Sequence, residues 1–303
     1  MAIYAFDGTG NEDNPGDGKD TNVLKFYNAY KEGYQGGGDC FYVEGVGTRK
    51  GVMGKIFGSL FGFGGEQRID EAIDCLEENF KKGDERIDII GFSRGAALAL
   101  EFANEIHDHA VNGKDMPPIN FLGIWDTVAS FGIPGNNINV GYTLSVPKNV
   151  EHCFHAIALD ERRQGFPLTR VVQDAYSGRK ALDINEVWFR GFHSDVGGGN
   201  KNESLSSIPL LWMFKRAVDV DINIPSIHIE KQETLRDPTA ACVKPGMDIV
   251  PNKKRTIQHA DVVHDSVSRR DWVARRFEAN NPPKGLKVVN DKGEIRSQGF
   301  EEA

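Results

Sequence analysis

Residues Ile87 to Ala97 read I-D-I-I-G-F-S-R-G-A-A, and the fold is decided by how this stretch is read. An apolar run, Ile87 to Ile90, leads into Gly91-Phe92-Ser93-Arg94-Gly95. Helix formers then hold almost every position from Ala96 to Ala103. The pattern is strand, tight turn, helix, with G-x-S-x-G at the turn and Ser93 at its apex. A turn this sharp strains the residue at its apex and brings strand and helix close together. Gly91 and Gly95 carry no Cβ to clash there. The geometry exposes a hydroxyl and sets the Arg94 N–H at a helix N-terminus, where it can face a developing negative charge.

Outward from the turn, strands and helices alternate. Ile3 to Phe6 reads as a strand running into Asp7-Gly8-Thr9-Gly10-Asn11, and a helical pattern opens at Thr21-Asn22. Cys40 to Glu44 reads as a short strand. Glu66 to Lys81 has the apolar spacing of an amphipathic helix. Ile119 to Trp125, Val150 to Ala158 and Val187 to Phe192 read as strands, and Leu205 to Val218 as a helix. This predicts an α/β fold, a mostly parallel sheet with helices on both faces. Beyond residue 220 the periodicity weakens. Asp221 to Val250 has few regular periods, Asp261 to Phe277 reads as a helix or a strand–helix junction, and Leu286 to Ser297 as a small hairpin. With no repeat and no clear linker, the expectation is a single domain over 1–303, with a core of about 1–220 and a less regular part at 221–303.

Sites in parallel sheets lie at the carboxyl ends of strands. Asp7, Ser93, Asp126 and His193 each follow an expected strand. A serine needs a general base, usually a histidine oriented by a carboxylate. His193 opens H-S-D-V-G-G-G, whose glycines imply tight backbone packing. The order Ser93, Asp126, His193 is the Ser…Asp…His order of α/β hydrolases. Asp195 and His264 form the alternative acid and base, because in a common layout these follow the last two strands. Arg94 with Gly8 or Thr9 would supply the oxyanion N–H groups. Asp7 has two readings, organiser of its loop or ligand of a cation.

Composition bounds the function classes. The chain has 303 residues, 39% hydrophobic and 26% charged, with a formal net charge of −8. That charge argues against a nucleic-acid partner and against general adhesion to anionic membranes. Cys40, Cys75, Cys153 and Cys242 form no C-x-x-C pair, so neither zinc nor a disulfide framework is expected. Glu12, Asp13, Asp17 and Asp20 do not have EF-hand spacing. No metal and no cofactor is expected. The first residues carry no secretory signal, which fits a cytoplasmic protein or export by a route that needs none. The glycine-rich apolar segment Gly54 to Gly65 has two readings, a core-facing loop or a lid in transient contact with a membrane surface.

F-D-G-T-G-N, G-F-S-R-G-A, I-W-D-T-V, H-A-I-A-L-D-E-R-R and V-W-F-R-G-F-H-S-D-V-G-G-G occur in this order. Together they resemble an α/β-hydrolase family, long labelled a domain of unknown function, that includes phospholipase effectors of bacterial type VI secretion. The resemblance covers roughly residues 1 to 215. It implies hydrolysis of glycerophospholipid acyl esters by a triad of Ser93, Asp126 and His193. A cognate immunity protein is the partner that the effector analogy implies. Two rival readings stay open: a soluble short-chain carboxylesterase or thioesterase, and a non-catalytic binding module that keeps the fold.

Overall fold

The computed structural model describes residues 2–8, 19–45, 60–129, 142–171, 183–243, 253–267, 273–274, 277–296 and 299–300. Eight strands form one sheet: β1 (Ala2–Phe6), β2 (Phe41–Val43), β3 (Ile87–Phe92), β4 (Ile119–Trp125), β5 (Val150–Ala158), β6 (Asp183–Phe189), β7 (Val262–His264) and β10 (Lys287–Val289). Every pairing in it is parallel, in the order β10-β7-β6-β5-β4-β3-β1-β2. A small antiparallel pair, β8 (Val273–Ala274) and β9 (Phe277–Glu278), stands apart.

Helices cover both faces because the strands are apolar on both sides. β1 and β3 are buried at every residue. Ala2, Tyr4 and Phe6 pack with α2 (Leu60–Lys81) and α3 (Arg94–Asp108), whereas Ile3 and Ala5 pack with α1 (Asn22–Gly33) and α5 (Glu203–Asp219). This is the period-two alternation of a strand serving two cores. Asp88, fully buried inside β3, accepts from Tyr30 Oη at 2.7 Å and from Asn120 Nδ2 at 2.8 Å, so its charge is not left bare.

The connection after β1 goes to β2 at one edge of the sheet. From β3 onward the strands add on the other side of β1. The order therefore reverses between β1 and β3, and the crevice at such a switch point is where α/β sheets place their sites.

Several expected boundaries move. The strand expected over Val187 to Phe192 runs instead from Asp183 to Phe189. His193 opens a five-residue helix, α4 (His193–Gly197), rather than ending a strand. Gly191, at φ 118°, makes the break, although the apolar Phe192 prolongs the strand pattern in the sequence. The irregular stretch after residue 220 contains α6 (Ser226–Leu235), whose only buried residue is Gln232, so it leaves no apolar stripe to read. The region read as a helix or junction near Asp261 supplies β7. The expected hairpin supplies β10, which pairs with β7, and the chain then returns through a bridge between Val289 and Ile295. Gly54 to Ser59 and the acidic Glu12, Asp13 and Asp17 lie outside the described residues.

Candidate active site

Ser93 sits between β3 and α3 with φ 59° and ψ −122°, a backbone conformation that costs a non-glycine residue strain. The neighbouring loops hold it there. Its N–H donates to Trp125 O at 3.0 Å, and its C=O accepts from Val128 N–H at 3.2 Å. The flanking glycines allow the approach. A Cβ on Gly95 would stand 2.2 Å from the Phe6 carbonyl oxygen, and one on Gly91 would stand 2.7 Å from the Gly95 oxygen. The elbow is thus pressed against the end of β1.

Asp126 follows β4 and is fully buried, with φ 38°. His193 Nδ1 lies 2.6 Å from its Oδ2. An ionised carboxylate only accepts, so the imidazole proton is on Nδ1 and Nε2 keeps its lone pair. Burial pushes the His193 pKa down, and the Asp126 charge only partly offsets this, so the ring is neutral near pH 7. The imidazole packs on Phe92, the residue before Ser93, with ring centres 4.6 Å apart. Gly197 makes that possible, since a Cβ there would fall 2.0 Å from the Phe92 ring.

Three other donors reach Asp126. Ala158 N–H donates to Oδ1 at 2.8 Å, and the Arg255 guanidinium spans both oxygens, Nη1 to Oδ1 at 2.5 Å and Nη2 to Oδ2 at 3.1 Å. Burial alone would raise the Asp126 pKa. The Arg255 charge and the His193 contact outweigh it and hold the carboxyl well below the usual carboxylate range. Arg255 also donates to the carbonyls of Ala158 and Phe166. It comes from a segment without periodicity, and nothing in the sequence singles it out.

The two acids of A-L-D-E-R-R hold the loop that carries His193. Asp160 accepts from Gly191 N–H at 2.8 Å and pairs with Arg190 at 2.9 Å. Glu161, fully buried, accepts from His193 N–H at 3.2 Å and from Arg163 through both oxygens. Burial acts to raise the Glu161 pKa, but Arg163 overrides it and holds the carboxyl at about 2. Arg163 lies 3.7 Å over the Phe166 ring, which in turn meets the His193 ring edge-on at 4.9 Å. His155, buried in β5, bridges Glu186 and the N–H of Thr127, and so fixes the residue after Asp126.

The alternative acid and base are not brought together. Asp195 accepts from Phe192 N–H, Asn200, Asn202 and Val243 N–H. His264 is stacked on Phe189, with Nδ1 2.9 Å from Ser266 Oγ and Nε2 3.1 Å from Asp291. Asp195 therefore braces the His193 helix, while His264 belongs to the far end of the sheet beside β10.

Both Asp7 oxygens are occupied. Oδ2 accepts from Thr21 Oγ1 at 2.6 Å and Tyr42 Oη at 2.8 Å, and Oδ1 accepts from Gly8 N–H at 2.6 Å. Burial pushes its pKa up to about 6. These contacts are those of a loop organiser, and they engage the Gly8 N–H that the sequence offered to an oxyanion. Arg94 is the first residue of α3, at the positive end of the helix dipole. Thr9 lies outside the described residues.

A strained serine at a helix N-terminus, whose preceding residue Phe92 packs on a carboxylate-bound imidazole, can support acyl transfer. Comparison with known proteins gives the same direction. Residues 2–115 and 101–216 match the family described as "T6SS, Phospholipase effector Tle1-like, catalytic domain". The uncharacterized protein YEL023C of Saccharomyces cerevisiae is 28% identical in a 220-residue alignment that takes in 54% of this chain and 31% of that protein. A crystal structure of an uncharacterized protein from Pseudomonas aeruginosa shares the fold at a TM-score of 0.52 and 22% identity, over 77% of this chain and 48% of that one. The Tle1 effector bound to the VgrG spike from the type VI secretion system gives a TM-score of 0.44 at 22% identity, over 65% of this chain and 50% of that one. The chain thus spans a third to a half of these relatives. The family match takes in well over half of the chain and includes Ser93, Asp126 and His193, and the protein belongs to the Tle1-like family of type VI secretion phospholipase effector catalytic domains.

Proposed function

We propose that this chain is a serine esterase that cleaves acyl esters of glycerophospholipids, a phospholipase of the A type. Ser93 is the nucleophile, His193 the base and Asp126 the orienting acid. The contact that carries this reading is the 2.6 Å pair of His193 Nδ1 and Asp126, set against the elbow that strains Ser93. Family membership supplies the substrate class.

In the first half-reaction Ser93 Oγ attacks the ester carbonyl while His193 Nε2 takes its proton. Asp126 stabilises the imidazolium through Nδ1. The Arg94 N–H faces the oxyanion. Collapse of the tetrahedral intermediate expels the lysolipid alcohol, which receives the proton from Nε2. Water, deprotonated by the same nitrogen, then releases the fatty acid from Ser93. Ser93 and His193 are only 3% and 4% exposed, so the reaction runs in a site of low water access, where these charge interactions are strong.

A fluorophosphonate probe tests the roles directly. It should label the wild-type protein at Ser93, fail on Ser93→Ala, and react at least ~100-fold more slowly with His193→Ala. Equal labelling of wild type and Ser93→Ala would reject the assignment.

A further inference from the structure

His155 repeats, inside β5, the arrangement that His193 makes with Asp126. It is fully buried, and the parallel register sets it directly beside Glu186 of β6. Its Nδ1 lies 3.0 Å from Glu186 Oε1. Burial acts to raise the Glu186 pKa, but the His155 contact and the Arg170 charge outweigh it and hold the carboxyl below its usual value. An ionised carboxylate only accepts, so the His155 proton is on Nδ1 and Nε2 keeps its lone pair. Glu186 Oε2 accepts from Arg170 Nε at 2.6 Å, and Oε1 accepts also from Val171 N–H at 2.8 Å. Arg170 in turn donates to Asp261 at 2.8 Å. The Glu186 charge is thus met by a guanidinium, and the imidazole serves as a neutral ring.

The lone pair has a definite use. His155 Nε2 accepts from Thr127 N–H at 3.2 Å, with Thr127 Oγ1 at the same distance. Thr127 is fully buried and follows Asp126, whose φ of 38° is strained. Such strain persists only where the surrounding contacts over-determine the chain. Before the strained residue, Asp126 N–H donates to Ala156 O at 2.8 Å. After it, Thr127 C=O accepts from Thr169 N–H at 2.9 Å, and Thr127 N–H donates to His155. The next amide, Val128 N–H, donates to the Ser93 carbonyl at 3.2 Å, so the same turn also touches the elbow. A buried N–H that loses its acceptor is costly, and the chain would shift to relieve it.

We propose that His155 is a positioning residue of the candidate active site: a neutral acceptor, set in its tautomer by Glu186, that holds the turn after Asp126 and keeps the Asp126 carboxylate aligned with His193. Its effect on turnover rests on the esterase reading, whereas its hold on Asp126 does not.

Two variants separate the acceptor from the donor. In His155→Gln the amide oxygen can stand where Nε2 stands and accept from Thr127. In His155→Asn the amide nitrogen can stand where Nδ1 stands and donate to Glu186, but the shorter side chain leaves Thr127 N–H without its acceptor. Each replaces the ring by an amide, so a role in packing alone would treat them alike. Asp126, Glu161 and Arg163 act on the His193 ring, and Arg255 acts through Asp126; the variants alter none of these. With dihexanoyl phosphatidylglycerol as substrate, His155→Asn should lower kcat by roughly 10- to 100-fold at unchanged KM, and His155→Gln should restore most of the loss. The His193 ring titration, followed by NMR, should move down by roughly half a unit in His155→Asn, because the Asp126 contact that raises its pKa is loosened, and return in His155→Gln. Equal kcat and equal titration in the two variants would overturn the proposal. The wild type supplies a check that needs no variant. Nitrogen-15 spectra of His155 should show a proton on Nδ1 and none on Nε2, and a proton on Nε2 would overturn the proposal. Failure of the wild type to release fatty acid would remove the esterase reading instead, and the His193 titrations would still decide whether His155 holds Asp126.

Discussion

At the scale of single residues, Asp126 collects His193, the Ala158 amide and both arms of Arg255. A guanidinium on the proposed orienting acid has a cost and a use. It offsets part of the negative charge that His193 would otherwise feel, so the imidazole loses its proton at lower pH. Together with burial, this should place the acid limb of kcat/KM below the usual histidine range near 6.5. Removing Arg255 leaves the Asp126 charge acting fully on the ring, which raises the His193 pKa. Arg255→Gln should therefore lower the rate and move the acid limb up by roughly one unit, whereas Arg255→Lys, which keeps the charge but not the fork, should lower the rate with the limb in place. A slower Arg255→Gln enzyme with an unmoved limb would mean that the residue only props up its loop. The pH profile of ester hydrolysis distinguishes the two.

At the scale of elements, the site depends on close approach between chain segments. The β3–α3 elbow works because Gly95 rests on the last carbonyls of β1. Gly95→Ala would drive a methyl into the Phe6 and Asp7 oxygens, which are backbone atoms at the end of an interior strand. It should destabilise the fold by about 3 kcal/mol in denaturant unfolding and abolish activity. A change below 1 kcal/mol would show that β1 yields more readily than this packing implies. This elbow was legible in the sequence because G-x-S-x-G stands between an apolar strand and a run of helix formers. Asp7 and Asp126 were legible for a related reason, as a polar residue that ends an apolar run. His193 was read as the residue that follows a strand, and it opens a helix instead, because Arg190-Gly191 ends the strand before the apolar pattern does. Arg255 could not be found this way, since it is brought to Asp126 by tertiary packing from a stretch with no period of its own. Asp160 and Glu161 stood in a quoted motif, yet their task, bonding the amides of Gly191 and His193, is visible only once the loops are placed.

At the scale of the whole molecule, the chain beyond residue 216 completes what the family-matched part begins. It contributes β7 and β10 to the sheet, supplies Arg255 to Asp126, and builds a third apolar cluster in which Val263, Val267, Leu286, Val288 and Phe300 cover Ile157, Leu159 and Trp188. The sequence reading set this part aside as irregular because its strands are two or three residues long and its helix exposes most of its surface. A chain ending at residue 220 would bare the edge of β6 and this cluster and leave Asp126 without its arginine. It should be recovered as aggregate and show no activity. A monodisperse, active fragment would show that the later segments are dispensable. The central claim is the esterase itself, and product analysis tests it most directly. Mixed glycerophospholipids are incubated with the wild-type protein and with Ser93→Ala, and the products are resolved by mass spectrometry. Free fatty acid with matching lysolipid from the wild type alone is the predicted result. Equal release by both proteins, or release by neither, would contradict the account.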